Sequence, residues 1–85
     1  MKRIAVLSII IEKATDENVT KINEILHEFR DYILGRMGLP DKVHDVNIIS
    51  VSLFAEMDVL NAITGKLGNV NGVNAKILTS NKEYK

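Results

Sequence analysis

The chain predicts a single α+β domain in which strand, helix, strand, strand, helix and strand follow one another, and three observations carry that reading. Two β-branched runs, residues 4–11 and 46–54, are long enough to be central strands. Two other stretches place apolar residues at steps of three and four, as a helix with one buried side requires. Turn-forming glycine, proline, aspartate and asparagine cluster where these elements meet.

The first run is apolar on both alternating sides, Ala5, Leu7, Ile9 and Ile11 against Ile4, Val6, Ser8 and Ile10. A strand covered on both sides reads that way. Thr15 or Asp16 then offers a helix N-cap, and Asp16 and Glu17 suit the positive end of a helix. Val19, Ile22, Ile25, Leu26 and Phe29 form the helix's apolar stripe, with Glu17 and Lys21 paired on its wet side. Residues 32–34 are short and apolar, and Gly35, Gly38 and Pro40 follow, so this strand is expected to loosen at the glycines and stop at the proline, at a sheet edge. After a polar turn over residues 41–45, residues 46–54 form the second long strand. Met57 or Asp58 starts a second helix with Val59, Leu60, Ile63 and Leu67 inward and Gly68 as its C-terminal glycine. Residues 73–79 are the last strand, and residues 80–85 a polar tail expected to fray. Two strand–helix–strand halves in this length make the ferredoxin-like sandwich, a four-stranded antiparallel sheet with both helices on one face. Its core is expected to hold Ile9, Ile22, Leu26, Ile49, Val51 and Ile63. The other face would carry Val6, Ile10, Ile48 and Phe54, and an apolar face left open marks an interface, so a homo-oligomer, dimer or tetramer, is expected.

Composition excludes several classes of function. Eleven basic residues balance eleven acidic ones without segregation, whereas a nucleic-acid reader needs a basic surface to hold phosphates, so no direct nucleic-acid contact is expected. Without cysteine there are no disulfides, thiolate ligands or thiol nucleophiles. The apolar run after Met1-Lys2-Arg3 is eight residues long, too short to span a bilayer, and no small-residue cleavage site follows. No membrane contact and a cytoplasmic location are expected.

Candidate chemistry is sparse. His27 and Asp31 are spaced as a helical i,i+4 pair beside Glu28, which allows a hydrogen bond or a shared metal. One histidine and a carboxylate are too few for a tight site within one chain, so metal at His27 requires more than one subunit. Gly35 and Gly38 flank Arg36, an arrangement in which backbone amides and a guanidinium can approach an anion. It lacks the strand-to-helix setting of a nucleotide-binding loop. Ser8, Ser50 and Ser52 lie within strands with no histidine adjacent, and His44 sits alone in a loop. No catalytic residues and no cofactor are expected; an enzyme would need His27 and Arg36 to complete a pocket between subunits.

Five stretches carry a family resemblance: residues 2–11, 19–28, 31–40 (Asp-Tyr-Ile-Leu-Gly-Arg-Met-Gly-Leu-Pro), 48–51 and Gly65-Lys66-Leu67-Gly68. Together they resemble the iron-only hydrogenase system regulators, with His27-Glu28 and the segment Gly35-Arg36-Met37-Gly38 the sharpest parts. The resemblance implies a stand-alone domain similar in fold to ACT domains and to the metal-binding domain of the nickel-responsive repressor. It also implies a regulatory or ligand-sensing role through protein contacts, with a small-molecule effector or a partner protein. His27 would match a nickel ligand of that repressor, but Gly38, Pro40 and Val46 or Asn47 fall where its remaining ligands belong and cannot replace them.

Overall fold

The computed structural model describes residues 1–85. The elements are β1 (Lys2–Ile11), α1 (Asp16–Glu28), a 3-10 turn (Arg30–Tyr32), β2 (Ile33–Asp41), β3 (Val46–Glu56), α2 (Met57–Gly68) and β4 (Val73–Thr79). They form one antiparallel sheet of order β2-β3-β1-β4 with the helices on one face, the expected α+β ferredoxin-like arrangement. β1 and β3 are central because only their sequences are apolar enough for the middle of a sheet, and they pair over ten positions from Lys2–Glu56 to Ile11–Asn47.

Alternation along these strands decides the core. Ala5, Leu7, Ile9 and Ile11 of β1 stand beside Leu53, Val51, Ile49 and Asn47 of β3, and the four β1 residues are at most 1% exposed. Ile22 and Leu26 of α1 and Leu60, Ile63 and Leu67 of α2 close over them. All six expected core residues are buried, and no polar or charged residue is buried with them. Thr15 caps α1, its hydroxyl accepting from the Asn18 amide at 3.2 Å.

Two local expectations change. β2 does not loosen at the glycines but stays paired through Gly35, Gly38 and Pro40, and it ends one residue past the proline at Asp41, which faces Val46. An edge strand pairs on one side only, so a proline is tolerated where its missing N–H would have pointed outward. Gly68 is not the residue that turns the chain after α2: the cap is Asn69 with φ −83°, and the left-handed conformation falls on Gly72 with φ +77°. A Cβ on Gly72 would also lie 3.3 Å from Asn18 Nδ2. Gly72→Ala should therefore lower unfolding free energy by about 1–2 kcal/mol. Chemical denaturation checks this, and an unchanged midpoint would mean the turn is built differently.

The tail also departs from expectation. Instead of fraying, it bends back so that Lys2 and Tyr84 exchange both backbone hydrogen bonds at 2.7 Å, and Arg3 pairs with Glu83 at 2.9 Å. The Tyr84 ring meets Phe54 edge-on at 6.0 Å, and Lys2 lies over the other ring at 5.6 Å. A short apolar contact and a two-bond ladder hold what composition alone marks as loose.

The β2–β3 hairpin closes on Asp41. Its carboxylate accepts from the Val43 and His44 amides at 3.0 and 3.3 Å and bonds the His44 ring at 2.8 Å. The His44 side chain, helped by both amides, holds the Asp41 carboxyl below its ordinary pKa. The ionised form is the one bonded in the fold, so the turn loosens as pH falls through that lowered value.

Candidate functional site

The site begins with one extra residue. Ile33 faces Leu53 and Gly35 faces Ser52, so Leu34 has no partner and bulges from β2. Because side chains alternate along a strand, one inserted residue reverses the side of everything that follows. Ile33, Arg36 and Gly38 consequently share the helix side, while Gly35, Met37 and Leu39 take the other.

Arg36 thereby reaches α1, its guanidinium donating to Asn23 Oδ1 at 3.0 Å. The bond spans a gap between α1 and the edge strand, with a cavity on either side. One, of about 330 Å³, is lined by Asn23, Leu26, His27, Arg30, Ile33 and Arg36. The other, of about 240 Å³, shares Asn23 and Arg36 and adds Val19, Gly38 and Pro40 among its walls. Two guanidiniums and an imidazole therefore border one concavity whose lining includes two apolar residues and no carboxylate. Neither arginine has a carboxylate elsewhere. The ion pairs of the chain are Arg3–Glu83, Lys21–Glu17, His44–Asp41 and Lys66–Glu28. The last keeps Glu28, the neighbour of His27, occupied across the helix pair. Arg30 donates to the His27 carbonyl at 3.0 Å, which fixes the end of α1 and leaves further N–H groups of that guanidinium unused.

His27, Arg36 and Gly38 are thus brought along one groove. Gly35 is not, because the bulge turns it to the far side of β2, where it borders a separate cavity with Met37, Ser50, Ser52 and part of Arg36. Asp31 is not either. α1 ends at Glu28, Phe29 caps it, and Asp31 enters the 3-10 turn, so the helical spacing that would pair it with His27 no longer applies. No three histidine, cysteine, aspartate or glutamate side chains gather where a metal could be held. The arginines beside His27 also oppose a divalent cation there. Asn23 and Arg30 escaped the sequence reading, although a signal existed: Asn23, His27 and Arg30 recur at steps of four and three, a polar stripe alongside Ile22, Leu26 and Phe29.

The opposite sheet face is uncovered. Across it run the rows Leu39–Ile48–Ile10–Asn74, Met37–Ser50–Ser8–Lys76 and Gly35–Ser52–Val6–Leu78, with Phe54 beside Ile4 at the end. Val6, Ile10 and Ile48 are 39%, 38% and 44% exposed, as an open face requires of its centre. Phe54 shares that face but is half-buried beneath Tyr84, so the chain covers this position itself.

Residues 3–77 match the model of the TM1266-like family, described as an iron-only hydrogenase system regulator, a description that is itself provisional. The structure of the uncharacterized protein TM1266 from Thermotoga maritima is similar at a TM-score of 0.90 and 33% identity, over 93% of this chain and 98% of that one. A formyltetrahydrofolate deformylase from Pseudomonas putida KT2440 is similar at 0.65 and 15% identity, over 93% of this chain and 29% of that one, a likeness of fold alone. No curated protein matches at a significant level.

Proposed function

This chain belongs to the TM1266-like family of iron-only hydrogenase system regulators, and from that premise we propose that it acts as a regulatory, ligand-sensing module that works as a homo-oligomer. The observation that supports the assembly is the open sheet face. Its central rows join β-branched and other apolar residues to small serines, and the one charged side chain in those rows is Lys76 at the edge. Apolar surface of that extent on a small domain costs free energy in water and is relieved when a second layer covers it. The accessible surface of 5595 Å² also exceeds the roughly 5,050 Å² expected of a compact chain of this mass. A second copy is the occupant we favour, because a two-fold pairing lets one face serve both partners. Ser8, Ser50 and Ser52 keep the middle of the face low enough for two sheets to approach.

The reading is of a regulator acting in the cytoplasm through protein contacts, not of an enzyme or a direct nucleic-acid reader. No helix is long and apolar enough to cross a membrane. The strand serines, which would be the nucleophiles of an enzyme, lie in open-face rows that contain no histidine. Similarity to ACT domains and to the nickel repressor's metal-binding domain belongs to the same proposal.

Native mass spectrometry of the unmodified chain at micromolar concentration tests the assembly, with a dimer or tetramer expected and a monomer overturning it. Stoichiometric nickel or zinc in the same spectrum, lost on His27→Ala, would replace sensing by the rival reading of an intersubunit metal site. For the hydrogenase link, removing the chain from a cell that makes an iron-only hydrogenase should change that enzyme's activity. Unchanged activity would refute the link.

A further inference from the structure

We infer that the groove between α1 and β2 is a binding site for a small, doubly charged oxyanion, a phosphate group or a dicarboxylate. This deepens the sensing reading by naming the effector's chemistry, and it rests on that reading only for the consequence of binding. The chain is neutral overall, yet its charges are not evenly placed around this groove. Arg30 and Arg36 are the cations of its larger cavity, and neither forms an ion pair. Each spends only one hydrogen bond, Arg30 on the His27 carbonyl and Arg36 on Asn23 Oδ1, whereas a guanidinium carries five N–H donors. Unused donors on two guanidiniums that share one concavity match the oxygens of a phosphate or paired carboxylates better than they match water.

Position is set by the fold rather than by chance. The Leu34 bulge turns Arg36 toward α1, and the bond to Asn23 holds its guanidinium across the groove. His27 offers a further ring nitrogen, and half-buried Ile33 supplies apolar surface for the body of a ligand. At about 330 Å³ the cavity falls within the range of small-molecule pockets. Glu28, the carboxylate next to His27 in the chain, is paired with Lys66 and not with either arginine.

The test is a titration of the purified chain followed by amide and side-chain NMR. Inorganic phosphate and succinate are the two probes, at constant ionic strength with chloride as the control. Saturating shifts centred on Asn23, His27, Arg30 and Arg36 are expected with one or both probes, and the probe that saturates identifies the oxyanion class. Arg36→Gln and Arg30→Gln should each weaken binding about ten-fold with the spectrum otherwise retained, since both side chains are exposed. Lys82→Gln, on the tail, should leave it unchanged. Non-saturating shifts spread over every lysine and arginine, or arginine variants that bind as tightly as the unmodified chain, would overturn the proposal. Binding is read on the chain alone, so a chain that binds the anion yet leaves hydrogenase activity unaffected refutes the regulatory reading and not this one.

Discussion

Leu26→Ala should lower the unfolding free energy by about 2–5 kcal/mol. Leu26 is 1% exposed and sits where α1 meets the sheet, against a core of fourteen residues that contains no polar group. Truncation removes the transfer free energy of the deleted methyl groups and leaves a cavity that neighbours cannot fill without moving. With β1 and β3 fixed by ten paired positions, the sheet has little freedom to collapse into the gap. A domain of this size has a total stability of about 4–13 kcal/mol, so the loss is a large fraction of the whole. A fall in melting temperature of at least about 10 °C follows. Urea denaturation followed by circular dichroism measures it. Val43→Ala serves as the comparison, because Val43 is 86% exposed in the hairpin turn and should change stability by under about 0.5 kcal/mol. A Leu26 loss below about 1 kcal/mol would show that α1 presents a different side to the sheet.

Ile48→Lys should convert the proposed oligomer to monomers at micromolar concentration. Ile48 lies between Ile10 and Leu39 in one row of the open face, with 44% of its surface exposed in the single chain. An ammonium group buried between two such faces would lack a counter-charge, since the central rows contain no carboxylate. An unpaired buried charge costs about 3 kcal/mol or more, over a hundred-fold in dissociation constant. The monomer's fold should survive, because the substituted side chain points away from the core. Sedimentation velocity reads the mass, and circular dichroism the fold. A variant that keeps the unmodified chain's mass would exclude the face and leave pairing through the exposed edges of β2 or β4.

Much of this architecture was legible in residue order alone. A strand's period of two and a helix's period of three to four are local properties, so short windows of Ile, Val and Leu identify both. They sort Ala5, Leu7, Ile9 and Ile11 to the core, and Val6, Ile10 and Ile48 to the open face, before any pairing is known. The apolar stripe of α1 places Ile22 and Leu26 inward by the same reasoning. His27, Arg36 and Gly38 were also marked in advance, by residue type and glycine spacing.

What residue order could not decide depends on the partner across the sheet. The bulge at Leu34 exists because β2 is aligned on β3, with Leu53 facing Ile33 and Ser52 facing Gly35, and nothing within residues 33–41 states that register. The bulge separates Gly35 from the groove and turns Arg36 into it. Asp31 fails for a related reason: α1 ends at Glu28 with Phe29 as its cap, the Phe29 ring is buried and lies beneath Lys66 of α2, and residue spacing alone does not say where a helix stops. The tail is the plainest case. Its ladder joins Tyr84 to Lys2 at opposite ends of the chain, and its ring covers Phe54. Periodicity therefore determined the elements and the two faces of the sheet. Register and long-range closure, which arise only when separate segments meet, decided where the cations converge and which part of the open face the chain covers itself.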